Sequence, residues 1–521
     1  MFTRRLFIAG AATAVLSAPA IVRARTAWQQ FPFALGVASG DPASDGFVIW
    51  TKLAPRPLDP HGGMALAAME VAWEVAEDSG FRTVVRNGTH IARPELGHAV
   101  HVEVTGLSPD RPYFYRFTAG GEQSLRGRAR TLPAVGASPA TVKFGVAGCN
   151  NFEDGYFGAF RHLAAERDLA FVYHYGDMIY EYRQDYEFID GLPAATVRQH
   201  AYRNLIDVSD YRLAYGQVLG DLDAQAARSS HVFLSSFDDH EIDNNWVSDV
   251  DNWTLQAGNA TNAAAPEVFA FRKAAALQAW YEHMPVRRAL MPRGGNVALN
   301  REIRFGDLLS MQLLDTRSFR SDQPCGDGFQ PICAEVNAAD RQVLGAAQEA
   351  WLGRNLQNRA QWYAMAQQIM MMSLDRRRRA EETERILNLD SWAGYEAARQ
   401  RMLSRMAGLG NSIVLTGDEH QNFAGDLVQR DRVVGSEFVA TSISSGGDGS
   451  DLRSGSDVFL ANNPEVKFIN DQRGYLVCEV GREAWRTHYR VVDRVTMPTN
   501  AVSTRAVAEV AHGAPGVRMA G

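Results

Sequence analysis

Hydrophobic and polar positions change rhythm near residue 135. Between residues 31 and 133 apolar residues come in short, alternating runs: 33–37, 46–51, 69–75, 100–104 and 113–117, split by turn residues. Strands of that length and spacing predict a β-sandwich. Residues 134–139 (Ala, Val, Gly, Ser, Pro) read as a linker. Beyond them the pattern becomes strand, helix, strand at 142–147, 156–167 and 169–175, which implies parallel pairing in an α/β unit. Further apolar runs predict strands at 232–237, 304–315, 362–370, 412–416 and 438–442. Helical spacing predicts helices at 196–220, 268–283 and 346–358. Residues 375–389, with four consecutive arginines followed by acids, read as a solvated helical face. Runs 475–480 and 485–492 predict an antiparallel closing pair, and from 499 a small, polar, loosely held tail follows.

Composition adds boundaries to this picture. The chain has 521 residues, 46% hydrophobic and 22% charged, enough for two domains or more. A net charge of -7 gives no electrostatic reason to expect a nucleic-acid partner. Four cysteines are too few for a disulfide scaffold. The N-terminus reads as an export signal: Arg4 and Arg5 precede an Ala-rich apolar run, and Ala18-Pro19-Ala20 and Val22-Arg23-Ala24 both suit cleavage. The expected division is a twin-arginine signal peptide at 1–24, a sandwich at 25–135, a catalytic domain at 140–498 and a tail at 499–521. The implied partner in transit is the twin-arginine translocase, and the implied location periplasmic or secreted.

Chemistry-bearing residues gather where apolar runs end. The central stretch is 172–180, an apolar run that stops at Gly176-Asp177 and supplies Tyr180 three residues later. Gly148-Cys149-Asn150-Asn151, Asp238-Asp239-His240-Glu241 and Gly417-Asp418-Glu419-His420 each follow a predicted strand in the same way. In a parallel sheet such junctions meet on one rim, where ligands bind. Carboxylate, phenolate and thiolate are anionic donors suited to highly charged cations.

The order of these four blocks resembles that of the calcineurin-like metallophosphoesterases, where a metal-binding block precedes Gly-Asp-x-x-Asp/Tyr, Gly-Asn-His-Asp/Glu and Gly-His-x-His. The departures are patterned: Cys149 at the first block, Tyr180 in the second, Asp238-Asp239-His240-Glu241 for the third and Gly417-Asp418-Glu419-His420 for the fourth. That set is similar to the alkaline phosphatase D (PhoD-like) family of exported phosphatases and phosphodiesterases, and the 313–320 stretch also fits it. Leu107-Ser108-Pro109 ahead of Tyr113 resembles the turn and tyrosine of a fibronectin type III module.

The resemblance implies a four-layer α/β/β/α core behind the N-terminal sandwich. It implies Fe³⁺ held by Cys149, Tyr180 and a bridging Asp177, with Ca²⁺ as the oxygen-liganded partner ion near Asp239. Asp418 and His420 would complete the cluster, and His240 would donate a proton or hydrogen bond to the leaving oxygen. Gln367 and Gln368 stand about where the superfamily carries a lone histidine. The implied activity is hydrolysis of phosphomonoesters and phosphodiesters by metal-activated hydroxide. Arg317 is a candidate phosphate clamp, with a structural ion pair as its alternative. Cys325 and Cys333 share one Gly/Pro-rich loop, and in an exported protein a disulfide between them is expected. The rival functions are a phospholipase D-like phosphodiesterase, marked by a bulky apolar rim, and a binding protein on a decayed metal core.

Overall fold

The computed structural model describes residues 28–183, 188–189, 192–193, 196–251, 265–357 and 360–520; the predicted signal peptide at 1–24 lies outside the described residues. Central strands send alternate side chains into different cores. Along Ser412–Thr416, Ile413 and Leu415 join one buried cluster and Val414 another. Val172 and Tyr173 divide the same way in Val172–His174. A side-chain period of two with every position buried requires a sheet covered on both faces.

Two sheets meet that requirement by packing on each other. In the first, Thr141–Ala147, Val172–His174 and Val232–Ser235 are parallel neighbours, with Gly474–Gly481 and Ala484–Val492 added antiparallel. In the second, Leu309–Leu313, Trp362–Ala366, Ser412–Thr416 and Arg432–Val439 run parallel. The facing sides share one cluster that includes Phe144, Tyr173, Leu234, Met311, Ala364, Leu415 and Phe438. Helices Gly158–Ala165, Val208–Leu219, Leu222–Ser230 and Pro266–His283 cover the outer face of the first sheet. Gly345–Asn355 and Glu396–Ala407 cover the second, giving four layers, α/β/β/α.

The N-terminal strands form their sandwich with one layer continuous with this core. Val37–Ala43 pairs in parallel with Val232–Ser235, so it, Gly46–Lys52 and Ala99–Val104 extend the first sheet to eight strands, and the C-terminal hairpin Val502–Ala511 and Ala514–Ala520 brings it to ten. The second layer of the sandwich is Val84–Ala92, Met69–Ala76, Pro112–Ala119 and Glu122–Gln123, with Gly127–Arg130 off its side. Tyr113 closes the predicted corner: the Ser108 amide donates to its oxygen at 3.0 Å, and its hydroxyl donates to the Ser108 carbonyl at 3.3 Å.

Three expectations are corrected. The tail is a hairpin, Val502–Ala511 and Ala514–Ala520, on the outer edge of the ten-stranded sheet. Its small side chains carry little hydrophobic signal, but Ala508 and Val510 are buried, in one cluster with Trp485 and Tyr489, and the backbone ladder does the rest. Residues 375–389 form no helix: Arg376 and Arg377 bond separate acids, and Ile386–Asn388 pairs instead with Phe329–Pro331. The predicted 196–220 helix begins only at Val208, where Asp207 caps it.

Candidate metal centre and active site

The rim where the four blocks meet is built by unusual backbone. Cys149, Asp177, Asp418 and His420 all adopt positive φ, between 51° and 65°. Side chains rarely enter that region without compensation. Here it is enforced by close approach. Gly176 has φ 143°, and a Cβ there would lie 2.6 Å from the Asp238 side chain. The Tyr175 ring lies against Gly417, closely enough that any Cβ at Gly417 would overlap it, and donates its hydroxyl to the Thr441 carbonyl at 3.0 Å. The Cys149 amide donates to the Gly176 carbonyl at 3.1 Å, and the Asn150 amide to that of Asp177 at 3.0 Å. Glu241, fully buried, takes the amides of Asp177 and Asp238 on one oxygen, both at 2.9 Å, and that of Met178 on the other at 2.7 Å.

On this frame the side chains converge. Donor atoms of Cys149, Asp177 and His420 lie within 4.8 Å of one another; so do those of Asp177, Asp239 and His240, and of Asp238, Asp239 and Asp418. Asp177 belongs to the first two groups and Asp239 to the last two. Cys149 Sγ is 3.3 Å from Asp177 Oδ2. Tyr180 Oη is 3.4 Å from the same oxygen, 3.2 Å from His420 Nε2 and 2.6 Å from Ser445 Oγ. All six predicted ligands therefore meet in one place. Gln367 and Gln368 do not join them: Gln367 accepts from Trp392 Nε1 at 2.7 Å, and Gln368 donates to Ser236 Oγ at 2.7 Å.

The electrostatics fit a cation. Burial, then Asp177, Asp418 and Asp238, push the Cys149 thiol well above its ordinary value. Burial, then Cys149 and Asp177, do the same to Tyr180. Asp177 is raised by burial and by Asp239, and Asp418 by burial and by Asp238. Asp239 alone is held below its ordinary value, by Arg317 and His240 against burial; the other acids resist ionisation together, and further positive charge among them would relieve this. His420, lowered to about 3 by burial and Arg473, stays neutral with a free electron pair. Asp238 Oδ2 and Asp239 Oδ1 are buried without a hydrogen-bond partner among the described residues, so both are free to take a ligand.

His240 is set apart from the other donors. Its Nδ1 meets Glu181 Oε2 at 2.7 Å, and its ring packs on Tyr180 with centroids 4.1 Å apart. Burial works against its proton, but Glu181, Asp239 and Asp177 outweigh it and hold the imidazole well above the usual range. Glu181 and Ser445 carry no sequence signal of their own, and Glu241 shows in the sequence only as the last residue of the third block, with no role assigned to it. Glu181 directly follows Tyr180 and Glu241 directly follows His240, so only the turns reveal which way each points.

Arg317 is not at the surface of the site. It is fully buried, with Nε 2.5 Å from Asp238, Nη1 2.8 Å from Asp390, and Nη2 3.6 and 3.8 Å from Asp239 and Asp418. It is the structural ion pair rather than the phosphate clamp, because four carboxylates already claim its charge. Arg320 binds Asp390 alongside it at 2.5 Å. Cys325 and Cys333 are joined in a disulfide, Cα atoms 6.0 Å apart. Cys478 is a buried thiol raised to about 12, by burial first.

Over the cluster lies a cleft of about 1040 Å³. Asp177, Asp239, His240, Asp418 and His420 line it, and so do Arg376, Arg378, Arg379 and Arg453. Its larger apolar side chains are Phe329 and Ile386, too few for the bulky apolar rim of a lipid-ester site.

Two back-to-back sheets whose strand ends bring acids, a thiol, a phenol and imidazoles to one rim define a metallophosphoesterase-type hydrolase. Family models agree: residues 144–489 match the PhoD-like phosphatase and 17–133 its N-terminal domain. Alkaline phosphatase D of Bacillus subtilis (strain 168) is 41% identical over 523 aligned positions, covering 97% of this chain and 87% of that one. A solved structure of PhoD superposes with a TM-score of 0.88 at 40% identity, covering 95% of this chain and 93% of the other. A purple acid phosphatase from yellow lupin seeds shares the fold, with a TM-score of 0.52 at 12% identity and coverage of 88% and 71%. The chain belongs to the PhoD-like phosphatase family and is a phosphoric ester hydrolase.

Proposed function

We propose that this enzyme is an exported, metal-dependent phosphoesterase that hydrolyses phosphomonoesters and phosphodiesters. The observation that carries the reading is the convergence of Cys149, Asp177, Tyr180, Asp239, Asp418 and His420 beneath one cleft. Cys149, Tyr180, Asp177 and His420 form a strongly anionic set suited to Fe³⁺. Asp177, Asp239 and Asp418 offer carboxylate oxygens suited to Ca²⁺. Bound there, the ions supply Lewis-acid neutralisation of phosphoryl oxygens and lower the pKa of water.

The chain's own part is orientation and proton supply. Glu181 fixes the His240 ring through Nδ1, leaving Nε2 for the cleft that His240 lines. As water's oxygen bonds to phosphorus and the phosphorus–oxygen ester bond breaks, His240 Nε2 gives its proton to the departing oxygen. Arg317 cancels the charge of Asp238 and Asp390 behind the site, so these acids do not repel the substrate. The signal at 1–24, with Arg4 and Arg5, supports export by the twin-arginine route.

The test is metal content and visible absorption of purified mature protein, beside hydrolysis of 4-nitrophenyl phosphate and bis(4-nitrophenyl) phosphate. Iron near one per chain, calcium, and a charge-transfer band lost in Tyr180→Phe or Cys149→Ala are expected. A colourless protein active with zinc alone overturns the iron assignment, and a metal-free, folded, inactive protein overturns metal dependence.

A further inference from the structure

The four consecutive arginines do not form one solvated face; they divide their partners unequally. Arg376 forks onto Glu419, its Nη1 2.8 Å from Oε2. Arg377 forks onto Asp375 at 2.6 Å. Arg379 lies 3.7 Å from Glu382 and is mostly exposed. Arg378 is half-buried, packed with its guanidinium 5.2 Å from the Phe459 ring centroid, and pairs with no carboxylate among the described residues. Its side-chain bonds are two long ones, from Nη1 to Ser454 O and Ser456 Oγ, both 3.5 Å. The acids nearest to it are taken: Glu419 by Arg376, and Asp471 by both Arg453 at 2.7 Å and Arg473 at 2.8 Å. Burial, Arg453 and Arg376 all disfavour its charge and hold it below the usual guanidinium range. Such a group is left wanting an anion.

Arg378 lines the same cleft as the donor cluster, with Arg453 and Ser454 beside it. We propose that Arg378, flanked by Arg453, forms a second anion subsite that holds a phosphate group adjoining the scissile one. The preferred substrates are then esters carrying at least two phosphates, not simple monoesters. This rests on the phosphoesterase reading, since the donor cluster lining the same cleft must hold the reacting phosphate. The wall that carries Arg378 is braced from both sides. Ile386–Asn388 pairs with Phe329–Pro331, which the Cys325–Cys333 disulfide closes off, and Glu419 ties Arg376 to the loop of Asp418 and His420.

The experiment compares propylphosphonate with propane-1,3-bisphosphonate, which differ in the second anion and contain no hydrolysable ester bond. Binding to the metal-loaded enzyme is measured by calorimetry, with metal content assayed before and after to detect stripping. The bisphosphonate is expected to bind about tenfold more tightly or better, as a charge-assisted guanidinium contact provides. Arg378→Met removes most of that gain, and Arg378→Lys retains part of it. If Arg378→Met yields no folded protein, Arg453→Met, at a half-exposed position, serves instead and must reduce the gain. Equal affinity of the two ligands for the wild type, or a gain that survives Arg378→Met, overturns the subsite. Hydrolysis of 4-nitrophenyl phosphate and of bis(4-nitrophenyl) phosphate by the same preparation tests the phosphoesterase reading separately: no turnover of either refutes that reading, while the binding ratio still decides the subsite.

Discussion

Glu241 is the least replaceable residue of the site that touches no proposed metal position. Its two oxygens collect three backbone amides, from Asp177, Met178 and Asp238, at 2.7–2.9 Å, and so pin the Asp177 turn to the Asp238 loop. Asp177 sits at φ 54°, a conformation that needs such support. Glu241→Gln conserves shape. Its carbonyl oxygen keeps the two amides of Asp177 and Asp238, but its NH₂ then faces the Met178 N–H, donor against donor. One buried donor left unsatisfied costs about 1–3 kcal/mol, and the loss of charge weakens the remaining two bonds. A total of about 2–3 kcal/mol, expressed in the position of Asp177, corresponds to a fall of roughly 30- to 150-fold in kcat/KM. The assay is steady-state hydrolysis of 4-nitrophenyl phosphate with metal content determined on the same samples. Glu241→Asp, whose shorter arm cannot span both loops, should fall between Gln and Ala. If Glu241→Gln retains activity within about threefold of wild type and its full metal content, the carboxylate does not position the centre and the reasoning is wrong.

Other contacts give three more expected outcomes. Glu181→Gln keeps an acceptor for His240 Nδ1 only by turning its NH₂ toward the Asn244 amide, which Glu181 Oε1 now accepts at 2.7 Å, and it removes the charge that stabilises the imidazolium; kcat should drop at least tenfold with little change in KM, and an unchanged kcat removes His240 from proton transfer. Lys52 is buried beside Glu282, which Arg212 already holds through two contacts; burial, opposed by Glu282 and aided by Arg212, lowers Lys52 to about 8. Because folding then releases a proton, stability should rise as pH climbs from 8 toward 10.5, by on the order of 2–3 kcal/mol, and thermal denaturation of Lys52→Met should lose that slope. Replacing Cys325 and Cys333 by serine frees a loop with an eight-residue separation, worth about 2.5 kcal/mol in local order; KM should rise with kcat kept, and an unaltered KM would separate the Phe329 ribbon from substrate binding.

Several features are legible in the residues alone. The four polar blocks each directly follow an apolar run, so a parallel-sheet rim is inferable, and the identity of the donors points to cations. Tyr113 after Leu107-Ser108-Pro109 marks its corner correctly. Less legible is anything decided by partners remote in the chain. Arg317 offers the same side chain to a phosphate or to an acid; Asp238, Asp390 and Asp418, 79, 73 and 101 residues away, take it. The arginine run resembles a helix face because neighbouring acids allow it, yet Glu419 and Phe329–Pro331 pull it into an extended wall. The tail looks weak because its side chains are small, whereas its order comes from backbone pairing with Ala484–Val492.

The donors and their order along the chain are local properties, set by residue types and strand-ending turns, and so they can be read without the fold. Their distances cannot, nor can the joining of the N-terminal strands to the catalytic sheet, nor which charges stay unpaired. Those depend on packing between segments hundreds of residues apart, where burial makes an unmatched charge costly enough to select its partner. Arg378, left without an acid among the described residues while its three neighbours in the run each have one, is an outcome that no local pattern encodes.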